Sequence, residues 1–166
     1  MKKLTVLVVV VVLGALTAAL AQDSVTVPLT DLKLAISNGF TAKVKASGAG
    51  AVEGTFHKTG EERRLLAVQA RPVGKITGVR ALQVTYKLDL KSGKAPALAV
   101  VAFDKEGRSW YRVGESMAAG EEVTARLSVQ GMRATAFSSA TEPDLAWSKL
   151  SHLWVGFVVD GQAEGS

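Results

Sequence analysis

The sequence predicts an all-β protein, a sandwich or barrel of antiparallel strands, and three observations support this. Apolar residues recur mainly at every second position, as in strands with one face in a core and the other in water. Glycine-containing turn segments separate these stretches at intervals of about 10 to 15 residues, which is typical of sandwiches and barrels. After the N-terminal segment, no stretch sustains a helical stripe of apolar residues over three turns.

The N-terminal segment is predicted to be a secretory signal peptide. A short basic start precedes the apolar run Leu4–Leu20, and Ala19 and Ala21 stand at the −3 and −1 positions before Gln22. An uncleaved membrane anchor is the alternative, because about 18 apolar residues can just span a bilayer. The polar residues directly after the small-x-small end favour cleavage. We therefore expect removal of residues 1–21, a secreted or periplasmic location, and no stable membrane insertion after cleavage.

Residues 22–166 are predicted to form a single domain without disulfides. The length suffices to bury a core, and the sequence contains no cysteine, so thiol catalysis, cysteine-ligated zinc and a lipidated N-terminal cysteine are excluded. Loss of Lys2 and Lys3 lowers the basic residues from 20 to 18 against 15 acidic residues, so the net charge falls from +5 to +3. The remaining basic residues are scattered as on solvated strand faces, and nucleic acid is not expected as a partner.

The predicted strands differ in how many of their faces are buried. In Leu82–Leu90, apolar side chains alternate with Gln83, Thr85 and Lys87, which gives one buried and one wet face. Ala97–Phe103 is apolar throughout and rich in β-branched residues, so it is predicted to be a central strand covered on both sides. Three further segments show the alternating pattern: Phe40–Ala46, Val123–Val129 and Leu153–Val159.

The order of segments between Leu82 and Val159 carries a family resemblance. A long alternating strand precedes the buried strand, which leads through the hairpin Phe103-Asp104-Lys105-Glu106-Gly107 to Trp110-Tyr111. Asp144–Leu150 then leads into a strand over His152–Val159. This arrangement resembles the β-jelly-roll modules of the galactose-binding-like superfamily, found as carbohydrate-binding modules and beside bacterial glycoside hydrolases. The resemblance implies a jelly-roll sandwich, a non-catalytic carbohydrate-binding or accessory role, and a C-terminal catalytic domain or a partner protein.

Modules of this kind close with a glycine followed by a further strand, whereas this sequence ends at Ser166, directly after Gly165. The resemblance therefore implies either that the domain 22–166 lacks its closing C-terminal strand or that it belongs to a longer protein. We favour the second interpretation, because a missing strand would expose a sheet edge.

No catalytic constellation is recognisable in the sequence. A Gly-x-Ser-x-Gly motif is absent, and the glycine-rich stretch Gly48–Gly54 is one residue too long for a phosphate loop and joins two predicted strands. His57 and His152 are the only histidines, too few to predict a zinc site. A free-standing enzyme is therefore not expected, and no cofactor is predicted.

Calcium is the alternative that the resemblance leaves open, because modules of this kind sometimes bind it. The available carboxylates are Asp104, Glu106 and Asp160, although they do not form a dense carboxylate loop.

The aromatic residues indicate where a ligand would bind. If Phe103 and Phe157 face the core, the alternation places His152 and Trp154 on the opposite face, and it places Trp110 and Arg112 opposite Tyr111 and Val113. Sugar rings pack on exposed aromatic faces while polar side chains bond the hydroxyls. The candidate ligand-binding residues are Trp110, Arg112, His152, Trp154, Gln83, Thr85 and Lys87. The alternative is that the tryptophans are buried, and that the protein is a structural or protein-interaction sandwich without a small-molecule ligand.

Overall fold

In the computed structural model, two antiparallel sheets pack against each other around a shared core. The structure describes residues 4–13, 24–26, 29–36, 39–46, 51–72, 76–141 and 145–166. Within these ranges no α-helix is present, and a single turn of 3-10 helix spans Trp147–Lys149. No helix in the described part of the chain has the length and apolarity needed to cross a membrane.

The strands follow one another with short connections. In chain order they are β1 Leu4–Leu13, β2 Ser24–Thr26, β3 Leu29–Ile36, β4 Phe40–Ala46, β5 Ala51–Lys58, β6 Arg64–Pro72, β7 Val79–Lys87, β8 Leu90–Gly93, β9 Ala97–Asp104, β10 Ser109–Ser116, β11 Glu122–Ser128, β12 Arg133–Ala134, β13 Leu150–Val159 and β14 Ala163–Gly165. Sheet A has the order β11-β7-β1-β5-β14-β8, with β2 paired to β1 and β4 paired to β5. Sheet B has the order β12-β10-β9-β13-β6-β3.

The core lies between the inward faces of the two sheets, as the alternation predicted. On β7 the side chains of Leu82, Val84 and Tyr86 are 0%, 1% and 3% exposed. Phe56 of sheet A contacts Phe157 of sheet B with ring centroids 4.9 Å apart, which joins the two layers directly. Each fully buried side chain of this size stabilises the fold by about 1.5 to 3 kcal/mol relative to exposure.

β9 is buried on both faces, as predicted for the continuous apolar run. It lies between β10 and β13, and every residue from Leu98 to Asp104 is buried. One face contributes Val100 and Ala102 to the inter-sheet core. The other face is covered by side chains of β13, and these form part of the site described below.

The predicted signal peptide overlaps β1, the strand that joins β5 to β7 in sheet A. β1 pairs antiparallel with β5 over Leu4–Leu7 and with β7 over Val6–Leu13. The predicted cleavage site after Ala21 lies outside the described residues. Removal of residues 1–21 stays a prediction, and it would take away the strand between β5 and β7.

The C-terminal residues form a short strand in line with β1. β14 pairs with β5 and β8, and Ser166 exchanges two backbone hydrogen bonds with Asp89. Because β4 occupies one edge of β5, both β14 and β1 lie along the other edge. Gly165 is opposite Phe56 and Leu4 is opposite Gly54, so β1 continues the line of β14 at the next positions of the ladder.

Candidate functional site

The outward face of sheet B brings several aromatic side chains together. Residues directly opposite each other in an antiparallel ladder share a face. Phe103 is paired with Ser109 on one side and His152 on the other, and two positions further Val101 is paired with Tyr111 and Trp154. The second row continues to Arg133 at one end and to Gln69 at the other. We call this surface the aromatic face, and its residues are Gln69, Arg71, Phe103, Tyr111, Arg133, His152 and Trp154.

Phe103 forms the floor of the aromatic face. The His152 ring stacks on it with centroids 4.4 Å apart and an interplanar angle of 7°. The Trp154 ring is tilted against the same phenyl at 4.7 Å, and Phe103 is consequently only 8% exposed. The indole Nε1 of Trp154 donates a hydrogen bond to Oε1 of Gln69 at 3.3 Å. These contacts hold the exposed ring surfaces in position before any ligand arrives.

The surroundings of His152 favour the uncharged imidazole. Burial lowers the pKa of the imidazole below its usual 6.5, and the positive charge of Arg71 lowers this pKa further. Its Nδ1 lies 3.2 Å from the Oγ of Ser151. A neutral imidazole offers one hydrogen-bond donor and one acceptor, which suits a hydroxyl-rich ligand.

The turn after β9 fixes the end of the aromatic face nearest Phe103. The carboxylate of Asp104 accepts hydrogen bonds from the backbone N–H groups of Glu106 and Arg108 and pairs with the Arg108 guanidinium. Burial by itself raises the pKa of Asp104, but the hydrogen bonds from Arg108 and Glu106 outweigh burial and hold this pKa below its usual value. Asp104 is therefore a structural carboxylate that remains ionised down to acidic pH.

The carboxylates weighed for calcium are engaged in ion pairs. Asp104 and Glu106 do lie together, but Glu106 pairs with Arg108 and Lys149, each at 3.2 Å. Asp160 lies elsewhere, 3.5 Å from the Arg63 guanidinium. Among the described residues, no group of three or more His, Cys, Asp or Glu side chains could hold a metal ion.

The structure places only two of the seven predicted ligand-binding residues on the aromatic face. His152 and Trp154 lie there side by side, as predicted. The placement of Trp110 on a wet face is wrong, because its side chain is 1% exposed and belongs to the inter-sheet core. The β9–β10 hairpin sets Ser109 opposite Phe103, so Tyr111, which is 36% exposed, faces outward instead. The expectation that Phe103 faces the inter-sheet core is also wrong, because its ring lies on the outward face of sheet B, against His152 and Trp154.

The other four candidates lie away from this surface. Arg112 borders an open cleft of about 690 Å³ between β10 and β11. Gln83, Thr85 and Lys87 lie on the outward side of sheet A, where Thr85 forms a 2.8 Å hydroxyl–hydroxyl contact with Thr124. They share a strand face, as predicted, but it is a different face from that of His152 and Trp154.

Sequence reasoning missed Tyr111, Gln69, Arg71 and Arg133 as members of the site. Gln69 and Arg71 alternate with buried Ala70 in β6, so their outward direction was readable from the pattern. Their position beside Trp154 and His152 was not readable, because it depends on which strand neighbours β13 and in which register.

Two antiparallel sheets packed face to face around a shared core define a β-sandwich. No protein-family model and no curated protein sequence matches the chain. Among solved structures, the fold is similar to the family 11 carbohydrate-binding module of the cellulosomal cellulase Lic26A-Cel5E of Clostridium thermocellum. The TM-score is 0.52 at 10% identity, over 82% of this chain and 83% of that chain. The predicted jelly-roll fold of a carbohydrate-binding module is thereby confirmed.

A second structure, a family 11 carbohydrate-binding module from Clostridium thermocellum in complex with a beta-1,3-1,4-mixed-linked tetrasaccharide, has a TM-score of 0.48 at 11% identity. That match covers 83% of this chain and 89% of that chain.

Proposed function

We propose that this protein is an exported, non-catalytic carbohydrate-binding module that holds a glycan on the aromatic face. The observation that carries the proposal is the placement of Tyr111 and Trp154 in one row, on either side of Val101. Two strand spacings separate them, roughly 10 Å, so two sugar rings of one chain can each rest on an aromatic ring. A chain of sugars would run across the strands.

The chemistry of the surrounding side chains suits hydroxyl groups. Gln69 holds the indole of Trp154 through its amide oxygen, which leaves its NH₂ group as a donor for a ligand. His152, whose ring stacks on the same phenyl as that of Trp154, adds the hydrogen-bonding capacity of its imidazole beside the indole. The aromatic rings would cover the apolar C–H face of a sugar, while these groups would bond its edge.

The fold supports the carbohydrate-binding role over the alternative of a purely structural sandwich, because a solved structure of similar fold is a carbohydrate-binding module. The N-terminal signal pattern supports export to the periplasm or the cell exterior. A polysaccharide ligand would be encountered there. The proposed partner is a catalytic domain of the glycoside hydrolase type, either attached to this chain or associated with it. The module would bring that domain to its substrate.

Affinity electrophoresis against a panel of soluble polysaccharides tests the proposal. The variants Trp154→Ala and Tyr111→Ala should each reduce retention about tenfold, since losing one ring contact of about 1.4 kcal/mol changes an equilibrium constant tenfold. Thr85→Ala on the outward side of sheet A is the matched control and should bind as the parent does. Far-UV circular dichroism and the melting temperature verify that each variant retains its fold.

Two outcomes would contradict the proposal. One is that no polysaccharide in the panel retards the parent protein. The other is that a double Tyr111→Ala, Trp154→Ala variant with an intact fold is retarded as strongly as the parent.

A further inference from the structure

The turn that follows β12 lies at one end of the aromatic face. The pairing of β12 with β10 continues one residue beyond Ala134, because the N–H of Thr135 donates to the carbonyl oxygen of Ser109 at 3.0 Å. Residues opposite each other in a ladder share a face, and Ser109 is itself opposite Phe103. The Oγ1 of Thr135 and the Oγ of Ser109 are 2.6 Å apart, as expected for side chains on one face. The row through His152 and Phe103 therefore continues through Ser109 to Thr135.

This turn is fixed by hydrogen bonds of its backbone and of one side chain. The N–H of Ser138 donates to the carbonyl oxygen of Thr135 at 3.0 Å, which closes a four-residue turn with Phe137 at its third position. The Oγ of Ser138 accepts hydrogen bonds from the N–H groups of Ser109 and Ala140, at 2.8 and 3.1 Å. Ser109 and Thr135 face outward and are nevertheless 0% and 8% exposed. The turn therefore lies against this end of the row.

Phe137 is held in this turn with most of its ring in water. Its exposed fraction is 71%, and among the described residues the other exposed large apolar side chains are Leu34 at 37% and Tyr111 at 36%. A single exposed apolar side chain is ordinary on a protein surface, but Phe137 does not stand alone. It follows Arg133, the residue opposite Tyr111, by four positions. An exposed ring on a fixed turn loses little conformational freedom when a ligand covers it.

The order of the exposed rings across sheet B follows from the strand order. Trp154 lies on β13 and Tyr111 on β10, with β9 between them. The strand that leads into the turn of Phe137, β12, lies on the far side of β10. Phe137 consequently stands beyond Tyr111, on the side away from Trp154. A chain of sugars that covers Trp154 and Tyr111 and continues across the strands would reach the Phe137 ring.

We propose that Phe137 supplies a further ring contact for the glycan, so that the site recognises a chain of three or more sugar residues. The proposal rests on the proposed function and names the length of ligand that the same site takes. A sugar residue beyond the one on Tyr111 would place its apolar face against the Phe137 ring. The turn of residues 135–138 would thus form the rim of the site at the β12 edge, and a shorter ligand would leave this rim unoccupied.

Isothermal titration of the protein with oligosaccharides of two to six residues from mixed-linked β-glucan, xylan and mannan tests the proposal. Phe137→Ala should weaken binding of the longest oligosaccharides about three- to tenfold, the change expected when one ring contact is lost, and the loss should grow with chain length. Phe137→Trp retains an aromatic ring and should bind within about twofold of the parent. Leu34→Ala, which removes an exposed apolar side chain at the opposite edge of sheet B, is the matched control and should bind as the parent does.

The outcomes separate this proposal from the proposed function. If Phe137→Ala binds every oligosaccharide as the parent does while Tyr111→Ala binds more weakly, the contact by Phe137 is overturned and the carbohydrate-binding role stands. A loss of equal size at every chain length would mean a general effect on the aromatic face and would also overturn the proposal. A dimer of the parent protein that dissociates in Phe137→Ala would overturn it too, because a second copy would then cover the ring. No binding of any oligosaccharide by the parent would overturn both proposals.

Discussion

Replacing Asp104 tests how much the turn after β9, which supports the aromatic face, contributes to the stability of the fold. The side chain is 1% exposed, and its Oδ1 accepts hydrogen bonds from the N–H groups of Glu106 and Arg108, each at 2.9 Å. Its Oδ2 accepts from Nε and Nη2 of Arg108, each at 2.8 Å. Asp104→Ala removes all four bonds and leaves two backbone donors and a mostly buried guanidinium without this acceptor.

The expected loss of stability follows from these contacts. Removing one partner of a buried ion pair lowers the free energy of unfolding by about 3 to 5 kcal/mol. Arg108 is 17% exposed and also pairs with Glu106, so part of its charge stays compensated, and the lower end, about 3 kcal/mol, is expected. Asp104→Asn keeps an oxygen acceptor for the backbone N–H groups and loses the charge, so about 1 to 2 kcal/mol is expected.

The effect of Asp104 depends on pH in a defined direction. Its pKa in the folded protein is lower than the usual 3.8, so the unfolded chain takes up the proton first as the pH falls. The stability that Asp104 contributes is fully present above the unfolded pKa, and it is lost as the pH falls through the lower, folded pKa. The difference between the parent protein and Asp104→Asn should therefore be constant at neutral pH and shrink below about pH 4.

Urea unfolding followed by tryptophan fluorescence measures these differences. The midpoint should shift while the slope m stays constant, since the change is local. Asp160→Ala is the control, because this carboxylate is exposed and its pair with Arg63 is long, and its midpoint should match that of the parent. An Asp104→Ala midpoint equal to that of the parent, or a difference for Asp104→Asn that persists undiminished in acid, would refute the reasoning.

Two further predictions concern other parts of the chain. Lys58 is 1% exposed and its Nζ donates to the carbonyl oxygens of Gly60 and Gly161 at 2.8 and 2.6 Å, so Lys58→Met should cost about 2 to 3 kcal/mol. A melting temperature equal to that of the exposed control Lys94→Met would contradict this. For the leader, N-terminal sequencing of exported material should start at Gln22 or within a residue or two, and an intact Met1 on a membrane-bound product would contradict cleavage.

The alternation of apolar residues was enough to predict most strands and the doubly covered β9. It was not enough to orient the Trp110-Tyr111 pair, because both side chains are large and amphipathic, and the hairpin turn at Asp104–Arg108 decides which one faces the core. Phe103 shows a second reason. Its side chain is buried on the outward face of sheet B, under His152 and Trp154. The tendency of phenylalanine to be buried therefore did not indicate which face of the sheet it occupies.

The N-terminal run was ambiguous for a different physical reason. Leu4–Leu13 is rich in valine, so it fits the apolar segment of a signal peptide and also has the β-branched composition of a central strand. Periodicity cannot separate these uses, because both need apolar side chains on every side.

If residues 1–21 are removed as predicted, the position that Leu4–Leu13 fills in sheet A, in line with β14, becomes open. Continuing the pairing of β14 past Ser166 leads from Phe56 to Gly54, the residue opposite Leu4. Any strand that entered along this line would displace Leu4–Leu13, and any loss of Leu4–Leu13 would make its entry more favourable. By mass action, a strand that binds along this line would stabilise the protein without residues 1–21 more than the intact protein, in which Leu4–Leu13 must first be displaced.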